Sequence, residues 1–257
     1  MIKISITSLI AGAAMIGVAS AATSLTNQLL VNFDGSLAGS TYTLGGGEID
    51  TTGTFSASGG VGVVPGSAFV AGGTDGFTLD PTSIGTLTST SWVAETVVSF
   101  NTFGGGQLTA ISVQGDTDFR INNNGGELQV GYWDGGTYGS VAGDLPDVGV
   151  PVHLAMVWDA TNSSLTGYVN GVMLGTVDNN DFAVPDSSYV SYGFFDRSGF
   201  EGRGIDAEMY GAAFSTFTGT FDEGADFQLS LATNVPEPTS TTLLGLGGLA
   251  LILRRRP

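Results

Sequence analysis

The stretch VHLAMVWDATNSSLTGYVNGVMLGTV, residues 152–177, decides the fold class. Alternate residues of its first part share a face in an extended chain, and one set is fully apolar. The two sets are Val152, Leu154, Met156 and Trp158 on one face, and His153, Ala155 and Val157 on the other. Further on, Asn170-Gly171 separates two β-prone runs, and this pair accepts the positive φ angles of a type I′ turn. We therefore predict a strand followed by a β-hairpin.

On both sides of this stretch, residues 23–233 have the same pattern of short β-prone segments and turn residues. Short apolar runs alternate with Gly, Asn, Asp and Thr clusters, and no linker or long helical period divides them. A second hairpin is predicted at Asn123–Gly126. The predicted strands are Leu29–Phe33, Phe77–Leu79, Ser91–Phe100, Leu108–Gln114, Phe119–Asn122, Glu127–Trp133, Val152–Asp159, Leu165–Val169, Val172–Val177, Val190–Phe195 and Ile205–Phe214. The body is predicted to be one all-β, antiparallel sandwich domain.

The charge of the chain is unevenly distributed. Only Glu237 of the 24 acidic residues lies in the C-terminal tail, whereas four of the seven basic residues, Lys3 and the three arginines 254–256, lie at the ends. This leaves 23 acidic and three basic residues between them, a formal charge of −20. Nucleic acid and anionic membranes would repel such a body. The chain has no cysteine, which excludes disulfides and thiol chemistry.

The N-terminus has the order of features found in a secretory signal. Lys3 supplies the positive charge, an apolar run from Ile4 to Val18 follows, and Ala19-Ser20-Ala21 supplies small residues for cleavage. We predict a signal helix over residues 1–22, removed by signal peptidase.

The C-terminus, residues 234–257, also has three parts in order. These are the motif Val235-Pro236-Glu237-Pro238, an apolar run from Thr241 to Leu253, and the cluster Arg254-Arg255-Arg256. The apolar run is short for a bilayer, since thirteen helical residues span only about 20 Å. The arginines can stop translocation and keep the C-terminus cytoplasmic. A short transmembrane helix that tethers the protein in transit is predicted.

This tail resembles the PEP-CTERM sorting tail of Gram-negative bacteria. The resemblance implies recognition by an exosortase, with cleavage at or near Pro-Glu-Pro, and a final location at the cell surface or in an exopolysaccharide matrix. The two prolines agree with this, because they hold the segment extended just outside the membrane.

The stretch at residues 152–177 resembles the core of laminin G-like, concanavalin A-like jelly rolls. Members of that group have a His-x-Ala strand, an aromatic-Asp pair and a Tyr-Val-Asn-Gly hairpin. The matching positions are His153, Ala155, Trp158, Asp159, Tyr168, Val169, Asn170 and Gly171. The resemblance implies a jelly-roll β-sandwich with a short helix near its end, for which Asp222–Leu229 is the candidate.

Calcium is the one cofactor that the sequence suggests. Laminin G-like domains often bind it, and Asp and Asn oxygens in glycine-rich loops are suitable ligands. No fixed calcium-loop signature is present. The candidate ligands are Asp34 and Asp206, with the clusters Asp116–Asp118 and Asp178–Asp181.

Aromatic rings beside polar groups are typical of sugar-binding surfaces. The best such loop contains Trp133, Asp134 and Tyr138. Tyr192, Phe194 and Phe195 form a second aromatic cluster. Packing within the core or a hairpin is the alternative for both.

Catalytic groups are sparse. Glu48 and Asp50 begin the Glu-x-Asp-x-x-Glu pattern of jelly-roll glucanases, but Gly53 stands where the last Glu belongs. Asp206 and Glu208 share a face of a predicted strand, and His153, the only histidine, is expected to be a packed or hydrogen-bonded strand residue. We therefore expect a non-catalytic surface or matrix protein that binds carbohydrate. The alternatives are a carbohydrate-active enzyme of the same fold and a structural, Ca²⁺-stabilised adhesion domain.

Overall fold

The predicted strands are present, together with six further strands of three to seven residues that were not among those predicted. The computed structural model describes residues 23–46, 48, 51, 53–80, 89–104, 106–114, 118–133, 138–178, 189–194, 202–231 and 235. In chain order the strands are β1 (Ser24–Val31), β2 (Ser36–Ala38), β3 (Thr41–Thr43), β4 (Thr54–Ser58), β5 (Gly62–Val64), β6 (Ser67–Gly73), β7 (Gly76–Asp80), β8 (Ser91–Thr102), β9 (Leu108–Gln114), β10 (Asp118–Asn124), β11 (Glu127–Trp133), β12 (Tyr138–Asp144), β13 (Val152–Asp159), β14 (Ser164–Val169), β15 (Val172–Asp178), β16 (Tyr189–Tyr192) and β17 (Gly204–Thr218).

The antiparallel pairings divide these strands into two sheets. In the described part of the chain, one parallel bridge between Gly204 and Thr109 connects the sheets. The first sheet has the strand order β17-β8-β13-β14-β15. The other edge of β17 pairs with β6 along its first half and with β1 along its second half. Strand β5 pairs with β6. The second sheet runs β2-β3-β4-β7-β16-β9-β10-β11-β12. The fold is an all-β sandwich.

The main core lies between the two sheets. Trp92 and Trp158 are opposite each other on β8 and β13, and Phe119 of the second sheet packs against both. Its ring centroid is 5.1 Å from that of Trp92 and 5.2 Å from that of Trp158. All three side chains are essentially inaccessible to solvent. Such interdigitated aromatic residues bury large apolar areas and fix how one sheet sits on the other.

The stretch at residues 152–177 folds as predicted. The even-numbered residues of β13 belong to the core between the sheets, whereas Ala155 and Val157 pack on the opposite face. Asn170 and Gly171 have φ angles of 52° and 74°, as a type I′ turn requires. The second hairpin is also present, but its turn consists of Gly125 and Gly126 at φ 67° and 91°, because Asn123 and Asn124 still belong to β10.

Strands β8 and β13 are buried on both faces, which is unusual for a two-layer sandwich. The outer face of the first sheet is covered by residues 219–231, which we call the C-terminal strap. Asp222 begins a single helical turn, since its carbonyl accepts the N–H of Asp226 at 2.8 Å. The strap therefore occupies the place where the family resemblance implied a short helix.

None of the described residues forms a helix long and apolar enough to cross a membrane. The predicted signal helix, residues 1–22, and the predicted apolar helix at residues 241–253 lie outside the described residues.

Candidate functional site

The outer face of the second sheet is polar across its centre. Strand β10 alternates strictly, so that Phe119 and Ile121 point into the core while Arg120 and Asn122 point outward. Pairing places Arg120 between Ser112 and Gly131, and Asn122 beside Gln129. We call the outward-facing residues of β9 to β12 the polar face.

Tyr138 lies across the polar face at its rim. It is 39% exposed, and its hydroxyl donates a hydrogen bond of 2.9 Å to Oε1 of Gln129. The side-chain amide of Asn124 donates to the same oxygen at 3.1 Å. The guanidinium carbon of Arg120 lies 5.4 Å from the centroid of the Tyr138 ring, within cation–π range. The ring is therefore fixed along one edge and open to solvent.

The structure brings two of the three predicted sugar-binding residues together. Trp133 and Tyr138 are directly opposite each other on β11 and β12, on the outward side, and Trp133 is half-buried. Asp134 lies outside the described residues. In the second predicted aromatic cluster, Tyr192 and Phe194 are buried, as expected if they pack within the core instead of binding sugar. Phe195 is not among the described residues.

A row of buried polar side chains continues the polar face toward β16. The Gln114 amide donates to the hydroxyl of Ser112 and, at 3.4 Å, to that of Ser191. The hydroxyl of Tyr189 donates to Oε1 of Gln114 at 3.0 Å. Arg120, 6% exposed, lies in the same row and is one of three basic residues in a body of formal charge −20.

Asn122 is also buried on this face, at 1% exposure. Among the residues that the structure describes, Nδ2 and Oδ1 of its amide have no hydrogen-bond partner, and neither has Oγ1 of its pairing partner Thr109. Leaving a buried polar group unpaired costs about 1–3 kcal/mol, so such groups normally have a water or a ligand as partner. Arg120 and Asn122 were not predicted, although the Phe-Arg-Ile-Asn alternation at residues 119–122 could have shown that both point outward.

The predicted calcium ligands are dispersed. Asp34 lies beside β2 and donates its own backbone N–H to Glu48, whereas Asp206, on β17, accepts a hydrogen bond of 2.8 Å from Asn101. Residues 115–117 and 179–188 lie outside the described ranges. Among the residues that the structure describes, no three acidic or histidine side chains are grouped closely enough to hold a metal ion.

The described candidate carboxylates make hydrogen bonds within the fold. Glu48 accepts hydrogen bonds from the backbone of Asp34, Gly35 and Gly45 and from the hydroxyl of Tyr42. Asp50 lies outside the described residues. These bonds hold Glu48 within the β2–β3 hairpin region.

Glu208 also has a partner within the fold. It accepts a hydrogen bond of 3.0 Å from the hydroxyl of Tyr210. Burial first, and then this hydrogen bond, raises the pKa of Tyr210 to about 12.

His153 is a buried, hydrogen-bonded strand residue, as expected. Its Nε2 lies 3.1 Å from Oε2 of Glu95, which is itself fully buried on β8. The Asn170 side chain accepts the backbone N–H of His153 at 2.9 Å, which fixes the hairpin to β13. Glu95 was not singled out by sequence, because it lies inside an otherwise apolar run.

The C-terminal residues 234–256 match the family model of the PEP-CTERM protein-sorting motif. This confirms the predicted sorting motif. Such a motif implies an exported protein of a Gram-negative bacterium that an exosortase recognises and processes. No curated protein matches the sequence.

Solved structures show where the fold recurs. A Trypanosoma rangeli sialidase in complex with sialic acid is similar with a TM-score of 0.59 and 12% identity, over 78% of this chain and 31% of the sialidase. The binding domain of botulinum neurotoxin serotype D is similar with a TM-score of 0.55 and 8% identity, over 77% of this chain and 49% of that one. The chain thus spans a third to a half of these structures, and the likeness shows a shared β-sandwich fold.

Proposed function

We propose that this protein is a non-catalytic, exported surface or matrix protein that binds polysaccharide on its polar face. The observation that supports this most directly is Tyr138, whose exposed ring lies beside Trp133 and above Arg120. Sugar rings present apolar C–H faces that stack on aromatic rings, while their hydroxyls need amide and guanidinium partners. At its rim the polar face offers both kinds of group, since Tyr138 is exposed and the amides of Asn124 and Gln129 are half-buried.

The arrangement also favours binding by a surface that is formed before the ligand arrives. Gln129 accepts two hydrogen bonds that orient Tyr138, and Gln114 joins the neighbouring strands. Preorganised side chains lose little conformational entropy on binding. The unpaired amide of Asn122 adds a group that a ligand hydroxyl or a bridging water would satisfy.

Within the sandwich class, we assign the domain to the laminin G-like, concanavalin A-like jelly rolls. The positions of His153, Trp158 and the Asn170-Gly171 turn in β13 and the following hairpin support that assignment. In this proposal signal peptidase removes residues 1–22, the tail tethers the protein to the inner membrane in transit, and the exosortase then releases it to the cell surface or matrix.

A hydrolytic or lyase activity would need acidic groups free to act on a glycosidic bond. The described carboxylates considered above, Glu48, Glu95, Asp206 and Glu208, all accept hydrogen bonds from their own fold. This supports a binding role over a catalytic one.

Binding to polysaccharide tests the proposal. Purified protein is titrated against immobilised exopolysaccharides and a glycan array, and binding is measured by surface plasmon resonance. We expect saturable binding that free polysaccharide competes for. Absence of binding to every polysaccharide, or release of reducing ends from a bound one, contradicts the proposal.

A further inference from the structure

The C-terminal strap connects the sandwich to the sorting motif. Its aromatic residues pack on the outer face of the first sheet: the ring of Phe227 lies 5.0 Å from that of His153 and 5.2 Å from that of Tyr168. Phe221 packs between Phe227 and Phe217, at 5.2 and 5.4 Å. The strap therefore adds a third, partial layer to the sandwich.

One buried carboxylate fixes the strap in place. Glu95 accepts the backbone N–H groups of Gln228 and Leu229 at 3.1 Å, in addition to its contact with His153. A buried charge requires such donors, and hydrogen bonds to charged groups are stronger than neutral ones. Because these two N–H groups belong to the strap, Glu95 loses both donors when the strap is released and retains its contact with His153.

The docked segment extends into the sorting motif itself. Leu229, 3% exposed, packs with Val97, Tyr210 and Ala213, and Leu231 and Val235 pack against the same cluster. The N–H of Val235 donates to the carbonyl of Leu231 at 3.3 Å. The first residue of Val-Pro-Glu-Pro therefore lies against the folded domain and within a turn.

Docking limits how far the motif can extend from the sandwich. Pro236 is seven Cα–Cα steps along the chain from Leu229, so the motif can extend at most about 25 Å from its anchor. If the strap is released back to Gly219, the same motif can extend about 60 Å. A cleft of about 390 Å³ lies along one side of the strap, between Phe227, Leu231 and the Asn170-Gly171 turn, and leaves space for the strap to shift.

We propose that Glu95 is a positioning residue for removal of the sorting tail. By holding the strap down, it keeps Val235 against the sandwich and restricts entry of the adjoining Pro-Glu-Pro segment into the membrane-embedded protease. Proteases bind their substrates in extended form, so the turn at Val235 must open before cleavage. Release of the strap, rather than the chemistry of cleavage, then sets the rate at which the tail is removed.

The test uses the full-length chain in cells that contain the exosortase. Pulse-chase labelling measures the half-life of chains that keep the tail, for wild type, Glu95→Gln, Gln228→Pro, the double variant and the control Asp206→Asn. Gln228→Pro removes one strap N–H, together with the hydrogen bond from the Gln228 side chain to the carbonyl of Asp226, and leaves the sequence of the sandwich strands unchanged. Asp206→Asn changes a carboxylate of the same sheet that accepts a hydrogen bond from Asn101, not from the strap.

Loss of a hydrogen bond to a charged group opens the strap roughly tenfold more often. We therefore expect both single variants to shorten the half-life of the uncleaved chain by roughly that factor. The double variant is expected to match either single one, because both act through the same contact. Asp206→Asn keeps the wild-type half-life.

Hydrogen exchange on the purified proteins separates this role from a general loss of stability. Amide exchange should accelerate at residues 227–231 in Glu95→Gln and Gln228→Pro while β8 and β13 stay protected. Unchanged or slower tail removal despite faster exchange in the strap overturns the proposal. So does an additive double variant, or equal acceleration by Asp206→Asn. If Glu95→Gln loses protection throughout the sandwich, Gln228→Pro alone decides between these outcomes.

Discussion

His153 Nε2 lies 3.1 Å from Glu95 Oε2, and both side chains are buried between the first sheet and the C-terminal strap. In an open groove such a pair would be a candidate for proton transfer. Here the Phe227 ring packs against the imidazole of His153, and backbone N–H groups of the strap donate hydrogen bonds to the carboxylate of Glu95. The pair therefore joins three chain segments that are distant in sequence.

Replacing His153 with Ala should lower the free energy of unfolding by about 3 kcal/mol, because it leaves the Glu95 carboxylate buried with one donor fewer. His153→Gln should lose less, since its amide can still donate to Glu95. Urea denaturation of both variants measures the difference. Equal losses would show that packing of the ring, rather than donation to Glu95, provides the stability.

Replacing Tyr138 with Ala should weaken polysaccharide binding by about tenfold, since it removes the exposed ring of the polar face. Tyr138→Phe keeps the ring and loses only the bond to Gln129, so it should retain most of the affinity. Equilibrium titration with the polysaccharide measures both. Substitution of Val172, which is 70% exposed on β15 of the first sheet, provides a control that should bind normally. Normal binding by Tyr138→Ala would place the site elsewhere.

Replacing Asn122 with Leu, which has a similar volume, should raise the free energy of unfolding by about 1 kcal/mol, because it removes two unpaired polar atoms from a buried position. The same change should weaken polysaccharide binding. Residues that serve a binding site often lower the free energy of unfolding relative to an apolar residue at the same position. Denaturation and titration of one preparation test both effects. A less stable variant would instead indicate that an ordered water satisfies the amide.

Ionisation of Tyr210 should contribute to destabilising the protein between pH 10 and about pH 12. Its pKa is raised from 10.0 to about 12 in the folded state, so between these values the unfolded chain loses a proton that the folded protein keeps. Stability is therefore fully present below pH 10 and falls as the pH rises toward 12. Tyr210→Phe should show a shallower fall. Denaturation midpoints measured across this range test it, and identical slopes for the two proteins would count against the assignment.

The sequence predicted the central strands because their apolar residues alternate. In β13 the even-numbered residues had to share a face, and Asn170-Gly171 could close a hairpin with little strain. Strands β2 to β5 escaped prediction because each has at most five residues, and β6 and β12 because small Gly, Ala and Ser residues interrupt their apolar pattern. Their pairing depends on neighbours such as β7 and β17, which are distant in sequence.

The polar face was predictable only in part. Trp133 and Tyr138 were found because aromatic residues in a polar loop are conspicuous, whereas Arg120 and Asn122 are defined by the register of β9 to β11. The position of the C-terminal strap was harder to predict than the polar face. Residues 219–231 have no periodic pattern, and the partner that fixes them, Glu95, lies more than a hundred residues earlier in the chain.

The positions of the tryptophans give the protein two distinguishable fluorescence signals. Of its three tryptophans, Trp92 and Trp158 are fully buried around Phe119, and Trp133 is half-buried on the polar face. Fluorescence from the first two should shift to longer wavelength only when the sheets separate. Emission that an added saccharide alters without that shift would originate from Trp133, so folding and ligand occupancy can be read from one spectrum without a label.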